Sequence, residues 1–169
     1  MHTDDTLTLG MDSEAFPSDA QATAPTHSTA ETDSSVGEPR GTGPDHFIIQ
    51  DGACFAGRHL IVDLWDAHGI DDVEHVRATL ERAASEAGAT LLHSHFHHFT
   101  PNGGVTGVAV LAESHISIHT WPERGYAALD VFMCGDSDPG RAVEVLRHAF
   151  APHRVDVQEH VRGRMPVNA

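Results

Sequence analysis

An α+β two-layer sandwich, with an antiparallel-rich sheet and two helices on one face, is the architecture this sequence predicts. Two observations point to it. Only two stretches carry apolar residues at helical spacing, and the short segments around them alternate or run apolar, as strands do. The resulting order is β-α-β-β-β-β-α-β, and the middle links are too short for the crossover of about a dozen residues that parallel neighbours need.

The run from Arg58 to Trp65 (RHLIVDLW) is the first strand. Asp71 or Asp72 caps a helix that runs to Glu86, with Val73, Val76, Leu80 and Ala84 along one face and Gly88 as its stop. Thr90 to Phe99 is the second strand. A Gly103-Gly104 turn leads into the third, Val105 to Leu111. His115 to Thr120 and Tyr126 to Met133 are the fourth and fifth. Asp136-Ser137-Asp138-Pro139 opens a helix to about Phe150, since proline is tolerated in a first turn. His153 to His160 is the last strand.

These elements form one domain over residues 46–169. Residues 1–45 differ in kind. They hold nine acids and one arginine, hence -8 of the chain's formal -15, with few apolar residues and no period. Such a segment buries too little surface to offset its ordering entropy and is expected to be a disordered acidic extension.

Composition excludes several functions. The net charge of -15 opposes general nucleic-acid binding. No apolar run approaches the ~18 residues of a membrane span, and Met1 to Gly10 lacks the basic start and apolar core of a secretory signal. Two cysteines, Cys54 and Cys134, make no disulfide framework, so a reducing cytoplasm is the expected compartment. All ten basic residues are arginine. Without lysine the chain cannot hold pyridoxal phosphate as a lysine Schiff base or build the usual P-loop. Any imine chemistry needs a carbonyl from elsewhere.

Two segments are dense in reactive groups. His93, His95 and His97 alternate along one strand face, with His98 on the other. Three imidazoles so placed suit zinc or iron, and the plainer alternative is that they face solvent or a partner. The second segment, Ala112 to Glu123 (AESHISIHTWPE), offers the Ser114 hydroxyl, the His119 imidazole as a base and the flanking carboxylates Glu113 and Glu123. Ser114 or Ser117 as a hydrolase nucleophile lacks the Gly-x-Ser-x-Gly elbow. Alternatively Ser114 attacks its own preceding carbonyl, or the segment is a half-buried edge strand.

The run Glu113-Ser114-His115-Ile116-Ser117-Ile118-His119-Thr120-Trp121-Pro122-Glu123 resembles the self-processing motif of prokaryotic S-adenosylmethionine decarboxylases. The likeness extends from Gly57-Arg58-His59 through His97 to Pro101, across Tyr126 to Asp136 with its Cys134-Gly135, and on to Arg162-Gly163. The resemblance implies cleavage between Glu113 and Ser114, with Ser114 becoming a pyruvoyl group that takes the substrate amine as a Schiff base. It implies His119 as the base for elimination and Cys134 as proton donor to the decarboxylated carbon, a role that suits a thiol with an ordinary pKa of about 8.5. It places Glu123 on the ribose and Phe99 against adenine; Trp121 either lines the pocket or is a core residue. It also implies a homodimer of cleaved protomers, a small-molecule substrate and no metal or pyridoxal phosphate. Cys54 has no matching role and is expected to be a buried apolar residue.

Two departures from the family pattern stand out. Phe99-Thr100-Pro101-Asn102-Gly103-Gly104-Val105-Thr106-Gly107 carries one extra residue in the turn, and Thr106 replaces a serine whose hydroxyl assists processing. The longer turn bears on substrate identity. The rival substrates are L-arginine and L-ornithine, decarboxylated on the same fold. The rival of another class is a non-catalytic, histidine-rich metal-binding protein.

Overall fold

The computed structural model describes residues 46–50 and 52–166; the acidic segment 1–45 lies outside the described residues. A hairpin of β1 (Ile48–Gln50) and β2 (Ala53–Phe55) comes first, followed by β3 (Gly57–Trp65), α1 (Val73–Glu86), β4 (Leu91–His98), β5 (Val105–Leu111) and β6 (Ser114–Trp121). A single 3-10 turn, Pro122–Arg124, then leads to β7 (Tyr126–Met133), α2 (Pro139–Phe150) and β8 (Arg154–Arg162). The expected strands and helices are all present, with ends that shift by one or two residues. The hairpin and the 3-10 turn are additions that the periodicity did not predict. Their segments are too short to establish a period.

Strands β4-β5-β6-β7-β3-β8 form one sheet in that order, every neighbouring pair antiparallel. Alternation decides its two faces. Leu60, Val62 and Leu64 of β3, Val105, Ala109 and Leu111 of β5, Ile116 and Ile118 of β6, and Leu129 and Val131 of β7 are buried beneath the helices. Helix α1 lies across β4 and β5, α2 across β3 and β7, and the two helices touch. Gly107 makes room for this layer: a Cβ there would stand 2.0 Å from the Phe96 ring.

Local chemistry sets the helix ends. Asp72 caps α1, accepting from the Glu74 and His75 N–H groups at 3.0 and 3.1 Å. Asp138 caps α2 by accepting from Gly140 N–H at 2.9 Å, with Pro139 in the first turn.

Among the described residues, no helix covers the opposite sheet face, and here the alternate residues are mixed rather than polar. Ile61, Trp65, Val110 and Trp121 are 37–40% exposed on it. Trp65 and Tyr126 rings lie 4.5 Å apart, and Trp121 stacks on Tyr126 at 5.4 Å. The Tyr126 hydroxyl donates to Asp63 at 2.5 Å. Burial, then that hydrogen bond, push its pKa up to about 12.

Candidate active site

The predicted site residues fall into two groups at opposite ends of β6. The first surrounds the bond between residues 113 and 114. Glu113 sits in the turn from β5 to β6 with φ 65, a left-handed conformation that costs a non-glycine residue about 1–3 kcal/mol. Ser114 opens β6 on its buried side and is only 8% exposed. Its Oγ accepts the Cys134 backbone N–H at 3.1 Å. Cys134 directly follows β7, and the β6–β7 register that pairs His115 with Phe132 brings it beside Ser114.

A cleft opens here, lined by Thr90, Glu113, Cys134, Asp136, Ser137 and His46. Burial pushes the Cys134 thiol pKa up, and the Glu113 carboxylate adds to the rise against an opposing hydrogen bond to Ser114. The thiol therefore keeps its proton to higher pH than an ordinary cysteine. The hydroxyl, the carbonyl carbon it would attack and a protonated thiol share one corner.

The second group lies at the other end of the strand. Thr106 and His119 are cross-strand partners, and Thr106 Oγ1 shares a hydrogen bond with His119 Nδ1 at 3.0 Å. His119 lies 6.5 Å from Trp121, ring to ring. Glu123 sits in the 3-10 turn just beyond, with Gly125 closing that turn at φ 59. Phe99 directly follows β4 and is exposed, its ring 4.5 Å from that of His97. The lengthened turn closes through Phe99 N–H to Gly104 O at 2.7 Å and Gly103 N–H to Phe99 O at 2.9 Å.

Within one chain, the two groups do not meet. Five residues at about 3.3 Å each set the Ser114 and His119 Cα atoms about 16 Å apart, and an odd separation sends the side chains to opposite faces. Ser117, the other candidate nucleophile, points to the uncovered face and donates to Asp130 at 3.1 Å.

Sequence reasoning missed a polar network on that face. Arg162 donates to His59 Nδ1 at 3.2 Å, and the other His59 nitrogen contacts Asp130 at 3.1 Å. Burial, then the neighbouring His59, lower the pKa of His115 beside them. These contacts join residues far apart in sequence and depend on pairing β3 with both β7 and β8.

His93, His95 and His97 stand exposed on the same side of β4, as alternation predicts. Among the described residues, no three His, Cys, Asp or Glu side chains gather closely enough to hold a metal ion. Among the same residues, no helix is long and apolar enough to cross a membrane. Cys54 and Cys134 are both free thiols. Cys54 is half-buried rather than fully buried, because its strand belongs to the small outlying hairpin.

Comparison with known proteins gives a consistent picture. The sequence profile of the S-adenosylmethionine decarboxylase family matches residues 58–163. The S-adenosylmethionine decarboxylase proenzyme of Thermotoga maritima is 50% identical over 111 residues, covering 64% of this chain and 85% of that protein. The proenzyme of Methanococcus aeolicus is 49% identical over 112 residues, covering 64% of this chain and 95% of that protein. The crystal structure of adenosylmethionine decarboxylase from Aquifex aeolicus superposes with a TM-score of 0.62 at 42% identity, over 68% of this chain and 97% of that one. Helices on one sheet face and a profile match across every strand of that sheet establish that the chain belongs to the S-adenosylmethionine decarboxylase family.

Proposed function

We propose that this chain cuts itself between Glu113 and Ser114 and then decarboxylates S-adenosyl-L-methionine through a pyruvoyl group made from Ser114, giving the aminopropyl donor of polyamine synthesis. The observation that carries the reading is the corner where Ser114 Oγ accepts the Cys134 N–H beside a left-handed Glu113. That N–H orients the hydroxyl and stabilises negative charge developing on its oxygen. The left-handed backbone before the bond is strain that cleavage releases.

The chemistry balances without an outside oxidant. Ser114 Oγ bonds to the Glu113 carbonyl carbon, the C–N bond breaks, and the hydroxyl proton passes to the departing nitrogen. A base then takes the Cα proton of residue 114, Cβ–Oγ breaks, and Glu113 leaves as a carboxylate. The remaining enamine tautomerises, water adds, and ammonia leaves a ketone at the head of a 56-residue chain, beside a 113-residue partner. The pyruvoyl group supplies the electrophilic carbonyl for the substrate amine and the electron sink for loss of CO2. Cys134 then protonates the carbon that lost CO2.

The two products stay together because their strands interleave. β5 pairs with β6, β7 with β3, and β3 with β8, so three ladders join the 113-residue chain to the 56-residue one.

The base comes from a second copy in this reading. Thr106, His119, Trp121, Glu123 and Phe99 form a half-site of their own, far from Ser114. A homodimer packed through the uncovered sheet face in two-fold fashion brings the far end of one β6 over the near end of the other. The half-exposed apolar residues of that face support it. His119 of one protomer then serves Ser114 of the other, Glu123 meets the ribose, and Phe99 and Trp121 offer π faces to adenine and the sulfonium. Free cysteines are consistent with a cytoplasmic enzyme.

The substrate assay is direct. CO2 release from carboxyl-labelled S-adenosylmethionine, arginine and ornithine is expected from the first alone; release only from arginine or ornithine overturns the assignment.

Cys134→Ala is expected to be cut but to turn over about 100-fold or more slowly, the usual contribution of a positioned general acid. In the wild type, the alkaline fall of kcat should lie above the ordinary thiol range, because burial raises the thiol's pKa. A fall at or below that range, or full turnover by Cys134→Ala, rules out the donor role.

A further inference from the structure

We infer that His46 is a positioning residue for the self-cleavage, holding the Glu113 carboxylate against the Cys134–Gly135 corner. This deepens the proposed function and rests on cleavage between residues 113 and 114.

The geometry ties both sides of that bond to one place. On one side, Cys134 gives its N–H to Ser114 Oγ. On the other, His46 Nε2 lies 3.5 Å from Glu113 Oε1. The next residue after Cys134 anchors His46 itself: Gly135 N–H donates to His46 O at 2.9 Å. The imidazole packs over Gly135, where an added Cβ would stand 3.3 Å from His46 Nδ1. Among the described residues, no other side chain pairs with Glu113.

His46 reaches this corner because of the added hairpin. Gly52, at φ 72, turns the chain between β1 and β2. Met165 N–H donates to Cys54 O at 2.8 Å and Ala56 N–H to Arg162 O at 2.9 Å, so the hairpin is clasped to the end of the chain. His46 has φ 52, a second left-handed non-glycine residue at the same corner. Strained conformations persist where their surroundings hold them, and each of these two residues contacts the other. Residues 46–57 precede the segment 58–163 that the family profile matches, so that match assigns no role to His46.

The role is mechanical. The contact with the imidazole favours the arrangement of the 112–113 turn seen beside the Ser114 hydroxyl. Both side chains are more than half exposed, so the pair contributes modestly and its loss should slow the cut by about two- to fivefold.

The test is a double-mutant cycle on the rate at which freshly made full-length chain gives its 113- and 56-residue products. His46→Ala should slow the cut, His46→Gln, which keeps a donor, should recover part of the rate, and Glu113→Gln should be slowed as well. In the His46→Ala, Glu113→Gln double variant the two effects should not multiply, since both remove one contact. Cutting of His46→Ala at the wild-type rate overturns the proposal. So does an equal slowing by His46→Ala in the wild-type and Glu113→Gln backgrounds, which would mean a structural effect independent of Glu113. A wild-type chain that never cuts at 113–114 rejects the proposed function itself and is read separately.

Discussion

Replacing Ser114 by alanine is expected to leave one uncut 169-residue chain with no measurable decarboxylation. The loss should be complete because no other group can stand in. Ser117 points to the other sheet face and is hydrogen-bonded to Asp130. The chain has no lysine to hold a carbonyl cofactor. The substitution should spare the fold: it removes one hydrogen bond, with the Cys134 N–H, at a cost of about 1–3 kcal/mol. Denaturing mass spectrometry reads the cut and CO2 release reads the activity. A break between residues 113 and 114 in Ser114→Ala would remove the hydroxyl from the mechanism.

Mixing two dead variants should restore cleavage. Ser114→Ala has no nucleophile, and His119→Ala has no base, so each alone should stay uncut. In a mixed dimer, one site combines the intact Ser114 of the His119→Ala chain with the intact His119 of the Ser114→Ala chain. Random pairing of equal amounts makes half of the dimers mixed, so about half of the His119→Ala chains should be cut. Every 56-residue product should carry the His119→Ala substitution. Co-expression with distinguishable tags and mass analysis gives the answer. The separation of about 16 Å between Ser114 and His119 along a straight strand makes this result strongly dependent on assembly. Absence of cut product in the mixture, with both chains folded and associated, would exclude a site shared between protomers.

The parts of the site that were legible in the sequence are those that local rules determine. Asp71 or Asp72 and the run Asp136 to Pro139 declared helix starts, of which the structure uses Asp72 and Asp138 as caps, and Gly88 declared a stop. Ser114, His119 and Cys134 were nameable from a dense motif and a resemblance. Their spatial relation was not. Reading Ser114 and His119 as neighbours within the segment treats five residues as a short distance, whereas a strand extends them nearly to full length. His46 carried no signal, because strands of three residues have no period to read and its partners Glu113 and Gly135 are far away in sequence.

The sequence by itself determined the layer architecture, since alternation of period two and helical spacing follow from backbone geometry that each segment carries within it. It also determined that a reactive carbonyl cannot be a cofactor held on lysine, since the chain has none. Only the tertiary structure decided that Thr106 meets His119, that Cys134 meets Ser114, and that a hairpin brings His46 to Glu113. Those contacts come from pairing strands far apart in the chain. Periodicity assigns a side chain to a face, but lateral neighbours depend on strand order and register, which the packing of the whole core selects.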